Sequence, residues 1–141
     1  MKPKHSLNRI RKFLEQVDWA FELNNFKKVI TEVTEQPKEQ PDLTAEVMPD
    51  LVYKEITIKI YPNFWELSLD GQRAALLHEL VHTLTHESIL VAYKLLEGEL
   101  HTVKEIKDIN ERTTTSITRL LDCLLQGKLR YFIKAYKDYL K

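Results

Sequence analysis

The sequence has little cysteine, glycine or proline: one, three and five residues in a chain of 141. The single cysteine, Cys123, cannot form a disulfide within the chain, which excludes a small disulfide-stabilised scaffold. The scarcity of glycine and proline excludes a collagen-like repeat and a disordered low-complexity chain. No apolar run approaches the roughly 20 residues of a membrane-spanning helix. We therefore expect a cytoplasmic protein with no membrane segment.

An excess of charge of either sign is also missing, because basic and acidic side chains number 21 each. Both ends are nevertheless basic: residues 1–12 carry five basic and no acidic side chains, and residues 128–141 carry five basic and one acidic. The segment between them is correspondingly acidic. A neutral chain lacks the electrostatic footprint of a nucleic-acid-binding protein, so we do not expect a nucleic-acid partner. The length and a hydrophobic content of 43% predict one globular domain spanning residues 1–141.

The apolar pattern predicts an α+β fold: an N-terminal helix, a small antiparallel sheet, then further helices. Ser6 has a suitable side chain to cap an amphipathic helix over residues 7–24. The β-branched segment 26–35 and the alternating segment 51–61 predict strands. Residues 43–48 and residues 51–61 are predicted to form a hairpin that turns at residues 48–50.

The downstream part of the chain is expected to be entirely helical. A helix that carries the functional motif begins near Ser68 or Asp70. A short separate helix is expected over residues 88–96, followed by a longer one over about 102–126. Gly127 is expected to end that helix before a last one.

The residues that carry chemistry are His78, Glu79 and His82, which form the pattern His-Glu-x-x-His. Because a helical turn takes 3.6 residues, both imidazoles project from one face and can bind one zinc ion. On a helical wheel, the leucines of this segment lie opposite the histidines, which separates the core from the site. A surface helix with two histidines on its exposed face would give the same wheel. By chance the pattern would arise with a probability of roughly 0.02 at this composition.

A catalytic zinc ion needs a third protein ligand and one open position. His86 follows on the same helix, but it lies about 12 Å along the axis from His78, which suits a tetrahedral site poorly. The third ligand is therefore expected from another element. By side-chain chemistry alone, the candidates are His86, Glu87, Glu97, Glu99, His101, Glu105 and Glu111.

The motif LLHELVH resembles the zincin metallopeptidases, and within them the gluzincins. More narrowly, the run ITIKIYPNFWELSLDGQRAALLHELVHTLT and the later NERTTTSITRLL are similar to the very small minigluzincin-like peptidases of archaea and of phages or prophages. The resemblance covers roughly residues 51–125 and is most specific at residues 78–82. It implies a minimal zincin-like fold and a zinc-dependent hydrolase that cleaves peptide bonds in a peptide or protein.

The resemblance also implies roles for individual residues. One zinc ion per chain would be held by His78, His82 and Glu111, with Glu79 as the general base. Thr115 would orient a ligand, at a position where the family often has Asp. The strand over residues 51–61 would align an extended substrate by strand addition, as the edge strand of that family does.

Two alternatives remain open. In the first, the protein is a non-catalytic interaction or regulatory domain whose zinc is closed by a fourth protein ligand, such as His86 or Glu87. In the second, the protein is a latent enzyme whose cleft is covered by the N-terminal helix or by the connector EQPKEQPD. Glu111, next to Arg112, would also suit a solvated helix charge. The oligomeric state and the cleavage preference do not follow from the sequence.

Overall fold

The computed structural model describes residues 5–99 and 101–141. It confirms the α+β class, with four helices and a sheet of three strands among these residues. Short 3₁₀ turns follow the first helix at Asp18–Phe21 and the last strand at Pro62–Glu66. The elements in chain order are α1 (Leu7–Val17), β1 (Lys27–Glu32), β2 (Ala45–Asp50), β3 (Glu55–Ile60), α2 (Leu69–Leu96), α3 (Val103–Cys123) and α4 (Leu129–Tyr139).

Helix α1 begins as predicted, because the side chain of Ser6 accepts a hydrogen bond from the backbone N–H of Arg9. Ile10, Phe13, Leu14 and Val17 are buried, and Leu7 is half-buried. The helix ends at Val17, earlier than the predicted residue 24, because the chain tightens into a 3₁₀ turn that Glu22 ends in the left-handed region, with φ of 60°. The predicted start of the helix is confirmed and the predicted end is wrong.

The sheet is mixed, with the strand order β1-β3-β2. Strand β2 is antiparallel to β3, whereas β1 is parallel to β3, so the prediction of a purely antiparallel sheet is wrong. Although β2 follows β1 in the chain, the connection over residues 33–44 places β2 away from β1. Strand β3 lies between them and pairs with both. The predicted hairpin exists, but Met48–Asp50 belong to β2, and the turn lies at residues 51–54.

Strand β3 alternates as predicted. Ile56, Ile58 and Ile60 are fully buried on one face, and the residues between them are half-buried on the other. The buried face covers a core to which α1, the sheet, the start of α2 and α4 contribute. Among the described residues, neither the core nor the half-buried apolar side chains packed against it include any residue between Leu84 and Leu120.

Helix α2 begins as predicted at Ser68, whose side chain accepts a hydrogen bond from the N–H of Gly71. It then runs without interruption for 28 residues, so the prediction of a separate helix over residues 88–96 is wrong. No glycine or proline lies between Gly71 and Leu96, and therefore nothing local breaks the helix. Gly98 follows its end with φ of 84°, a conformation that glycine adopts at no steric cost.

The last two helices have local start and stop signals. Thr102 and Glu105 form a reciprocal capping box: each donates its backbone N–H to the side chain of the other, over 2.7 and 3.1 Å. Gly127, with φ of 83°, interrupts the helical backbone between α3 and α4, as predicted. Within the described residues, no helix combines the length and the apolar content that crossing a membrane would require.

Candidate metal centre

The motif lies in the first half of α2, where one face of the helix is buried and the opposite face is exposed. Leu76 and Leu80 are buried in the core, while His78 and His82 are exposed on the opposite side. The core anchors the helix and the imidazoles face outward, as the helical wheel predicts. Val81 is an exception, since 44% of it is exposed although the wheel assigns it to the core face.

The two histidines converge on one point. The Nε2 atoms of His78 and His82 lie 3.0 Å apart, and their ring planes are inclined at 87° to one another. Two imidazoles bound to one tetrahedral zinc ion would have their nitrogens about 3.3 Å apart. A hydrogen bond between one protonated and one unprotonated ring nitrogen also accounts for a distance of 3.0 Å. The donor chemistry and the spacing of this pair therefore fit a zinc ion.

Glu79 belongs to the same group, since one ligand atom from each of His78, Glu79 and His82 lies within 4.8 Å of the other two. Its Oε2 accepts a hydrogen bond of 3.0 Å from the backbone N–H of Val47 in β2. Burial raises the pKa of Glu79 above its ordinary value, and the nearby Glu46 adds to this. The Val47 N–H and the two imidazoles act in the opposite direction.

Glu46 is itself bound from the side of β3. The hydroxyl of Tyr61 donates a hydrogen bond of 2.9 Å to Glu46 Oε2. Burial and this hydrogen bond raise the pKa of Tyr61, so the phenol stays protonated at neutral pH. A second carboxylate and a phenol donor thus lie next to the motif. Nothing in the spacing of the sequence indicated either of them.

The strand next to the site is β2, not β3. Because β3 is paired on both sides, it has no free edge, so the prediction that the strand over residues 51–61 aligns a substrate is wrong. The N–H of Tyr61 donates a hydrogen bond to the carbonyl of Thr44. In an antiparallel pair, successive residues direct their backbone groups alternately towards and away from the partner strand, so this bond shows which residues of β2 face β3. Ala45, Val47 and Pro49 therefore turn their backbone groups to the outer edge, where Val47 meets Glu79.

The two remaining predicted residues lie on α3. Glu111 and Thr115 are exposed and line a cavity of about 430 Å³ between α2, α3 and the 3₁₀ turn after α1. On α2, this cavity begins at Thr83, the residue after His82. The carboxylate of Glu111 is not a member of the group of converging ligand atoms. Its role as the third ligand, and that of Thr115 as a positioning residue, stay predictions.

The other third-ligand candidates are also separate from the group, as far as the described residues show. Glu87 accepts two hydrogen bonds from the guanidinium of Arg112, at 2.8 and 2.9 Å. His101 lies 3.8 Å from Glu105 at the start of α3. His86 is half-buried one turn beyond His82, and burial lowers its pKa.

The hydrogen bond from Val47 to Glu79 is another part of the site that sequence reasoning missed. It is made by a backbone group on an edge strand, and such a group has no residue-type signal. Comparison of the chain with protein-family models, with curated proteins and with solved structures gives no match. Function is therefore argued from the site itself.

Proposed function

We propose that the protein is a zinc-dependent peptidase of the gluzincin type, with Glu79 as its general base. The observation that carries the proposal is the convergence of the His78 and His82 Nε2 atoms, 3.0 Å apart, with the Glu79 carboxylate in the same group. An exposed pair of imidazoles beside a half-buried carboxylate is the donor set of a zinc site that also needs a base.

In this proposal His78 and His82 hold the metal, and Glu111 is the third ligand, oriented by Thr115. What supports Glu111 is its resemblance to the family's ligand and its position on the helix that packs against α2 just beyond His82. When bound, zinc would polarise a substrate carbonyl and lower the pKa of a bound water towards about 7.

The role proposed for Glu79 is to take a proton from the attacking water and pass it to the leaving amine. Its environment suits that role, because burial raises its pKa and so makes the carboxylate a better proton acceptor. The N–H of Val47 holds Glu79 Oε2 against β2 and so fixes the direction of the carboxylate.

The proposed substrate is an extended peptide or protein segment lying along the outer edge of β2. Ala45 presents both its backbone N–H and its carbonyl there, and Val47 presents its carbonyl. Pro49 offers only a carbonyl, which limits how far a substrate strand can pair. Backbone pairing of this kind binds extended chains of many sequences, and contacts with the substrate side chains then determine which sequences are preferred.

A second candidate function is a zinc-stabilised interaction domain without catalytic activity. The observation that favours it is that Glu111 lies outside the group of converging ligand atoms. In such a domain the zinc would be closed by four protein ligands, and His86 or Glu87 would have to take part.

The test combines metal analysis with peptide cleavage. The purified protein, dialysed against zinc and then against buffer, should retain about one zinc per chain and cleave members of a peptide library. Glu79→Gln should retain the zinc and lose cleavage, because the amide cannot accept the proton. Glu55→Gln, which changes a half-buried glutamate on β3, is the matched control and should keep both properties.

Each other result has a definite meaning. Zinc retained after Glu111→Ala would remove Glu111 from the ligand set, and zinc lost after His86→Ala would indicate a closed structural site. Cleavage by Glu79→Gln at the wild-type rate would contradict the proposed base. A zinc-loaded wild type that cleaves no peptide would favour the interaction domain.

A further inference from the structure

The last helix, α4, carries two parallel rows of side chains that end at the last residue of the chain. The apolar row, at spacings of four, three and four residues, consists of Leu129, Ile133, Tyr136 and Leu140. The residue after each of these is basic, which gives a basic row with the same spacing: Arg130, Lys134, Lys137 and Lys141. Successive residues are turned by about 100° around a helix axis, so the two rows lie side by side. Each row runs about 16 Å along the helix.

The basic row is exposed along its whole length. The side chains of Lys134 and Lys141 are 69% and 79% exposed. The only acidic residue in this part of the sequence is Asp138, which accepts hydrogen bonds of 2.8 and 3.3 Å from these two lysines. One carboxylate set against four cations leaves the row with a net charge of +3.

Helix α1, which packs along α4, does not cancel this charge. Its charged side chains that line a polar cavity together with Asp138 and Lys141 are Arg9, Lys12 and Glu15. Two cations and one carboxylate add a further net charge of +1. This side of the molecule is therefore positively charged, although the chain as a whole is neutral.

The apolar row borders a cavity of about 320 Å³ between α2, α3 and α4. Leu129, Ile133 and Tyr136 line it from α4, and the other described residues that line it are apolar as well. Leu129 and Ile133 are still 50% and 46% exposed, and Val81 on the α2 side is 44% exposed. The volume is that of a small ligand pocket, and an apolar lining offers water no hydrogen-bond partner. The cavity therefore favours hydrocarbon over water.

The two rows together indicate the chemistry of a partner. The basic row attracts a negatively charged group, whereas the apolar row and the cavity bury hydrocarbon. An anionic phospholipid presents both, because its phosphate lies at the membrane surface directly above its acyl chains. A nucleic acid would neutralise the basic row, but it would leave the apolar row and the cavity in contact with water.

We propose that the outer side of α4 is a docking surface for membranes that contain anionic phospholipids. The helix lies parallel to the membrane plane, with the basic row at the level of the phosphates and the apolar row turned towards the acyl chains. An acyl chain enters the cavity beside Ile133. Binding is peripheral and reversible, since it combines two individually weak contributions. This inference rests on no part of the proposed peptidase function.

The test is cosedimentation of the full-length protein with lipid vesicles in about 0.1 M salt. One set of vesicles is pure phosphatidylcholine, and the other also contains about 30% phosphatidylglycerol. We expect binding to the anionic vesicles and none to the neutral ones. Arg130→Gln combined with Lys137→Gln should weaken binding by about thirtyfold, because each cation near an anionic surface contributes roughly fivefold.

The matched control for this double variant is Lys104→Gln combined with Lys107→Gln. It removes the same charge from exposed positions near the start of α3, at the end of that helix far from α4. The control should bind the anionic vesicles as the wild type does.

A second pair of variants tests the apolar row. Ile133→Ser should weaken vesicle binding on the order of fivefold, because it removes apolar surface from the contact with the acyl chains. Ile89→Ser on α2 is the control, since Ile89 is 40% exposed against 46% for Ile133. Circular dichroism checks folding, which substitutions of exposed side chains should not disturb.

Four results would overturn the proposal. In the first two, the wild type does not bind the anionic vesicles, or it binds pure phosphatidylcholine equally well. In the third, the Arg130 and Lys137 substitutions leave binding intact or the control on α3 weakens it as strongly. In the fourth, Ile133→Ser binds at wild-type strength; the basic row would then bind polyanions in general, and a DNA duplex would displace the vesicles.

Discussion

The two halves of α2 belong to one unbroken helix and have opposite surroundings. In the first half, Gln72, Leu76 and Leu80 are buried, and the histidines lie on the opposite, exposed face. In the second half, Val91 is the only buried side chain among those described, and Leu96 is almost fully exposed. The core thus fixes the half of the helix that carries the motif, whereas the second half extends beyond the core with exposed apolar side chains.

The strongest test of this contrast is truncation of one leucine in each half. Leu80→Ala should cost about 2–5 kcal/mol of unfolding free energy, because it leaves a cavity in the core. Leu90→Ala, in the exposed half, should cost less than about 0.5 kcal/mol in the monomer. Urea denaturation at low protein concentration measures both. Equal losses would mean that the outer half is supported by the same core.

A smaller effect is expected from the contact that ties the start of α2 to α4. The hydroxyl of Tyr139 donates a hydrogen bond of 2.9 Å to Gln72 Oε1, and both side chains are buried. Burial raises the pKa of Tyr139, so the hydroxyl keeps its proton. Tyr139→Phe leaves the amide oxygen of Gln72 without this donor and should cost about 1–3 kcal/mol, measured by urea denaturation.

The matched control for this change is Tyr93→Phe in the outer half of α2. Tyr93 is 61% exposed, so water can replace any partner of its hydroxyl, and the loss should stay below about 0.5 kcal/mol. A loss at Tyr139 no larger than that at Tyr93 would show that Gln72 finds another donor. The hydrogen bond would then be no part of what anchors the half of α2 that carries the motif.

Local signals in the sequence were sufficient for much of the fold. Ser6 and Ser68 cap helices as predicted, since a cap depends only on the residues next to it. Gly127 separates two helices for the same kind of reason. His78 and His82 meet because their separation of four residues is itself the geometry of the helix.

The errors concern features that depend on distant parts of the chain. Strand β1 is parallel to β3 because of the route taken by residues 33–44, and no local pattern records that route. The hydrogen bond from Val47 to Glu79 joins a backbone group to a side chain 32 positions away. Whether Glu111 reaches the histidines depends likewise on how α3 packs against α2, which helical spacing alone does not determine.

The smallest expected effect is a pH dependence of stability that comes from the contact between α1 and α4, far from the exposed second half of α2. Asp138, at the end of α4, accepts hydrogen bonds from Lys134, from Gln16 of α1 and from Lys141. These contacts, of which that with Lys134 is the strongest, hold the pKa of Asp138 well below its ordinary value. The folded state therefore binds a proton at Asp138 less readily than the unfolded chain does.

The sign of the effect follows from that difference. Asp138 stabilises the fold above about pH 4, the ordinary range of an aspartate, and this contribution is lost as the pH falls further. Asp138→Asn lacks it at every pH, so its stability deficit should be largest near pH 7 and should shrink below about pH 4. Asp108→Asn, at an exposed position on α3, is the control and should show little deficit at any pH. Urea denaturation from about pH 7 to 3 measures both variants, and a deficit at Asp138 that grows with acidity would contradict the assignment. If the prediction holds, the contact between α1 and α4 is sensitive to acid.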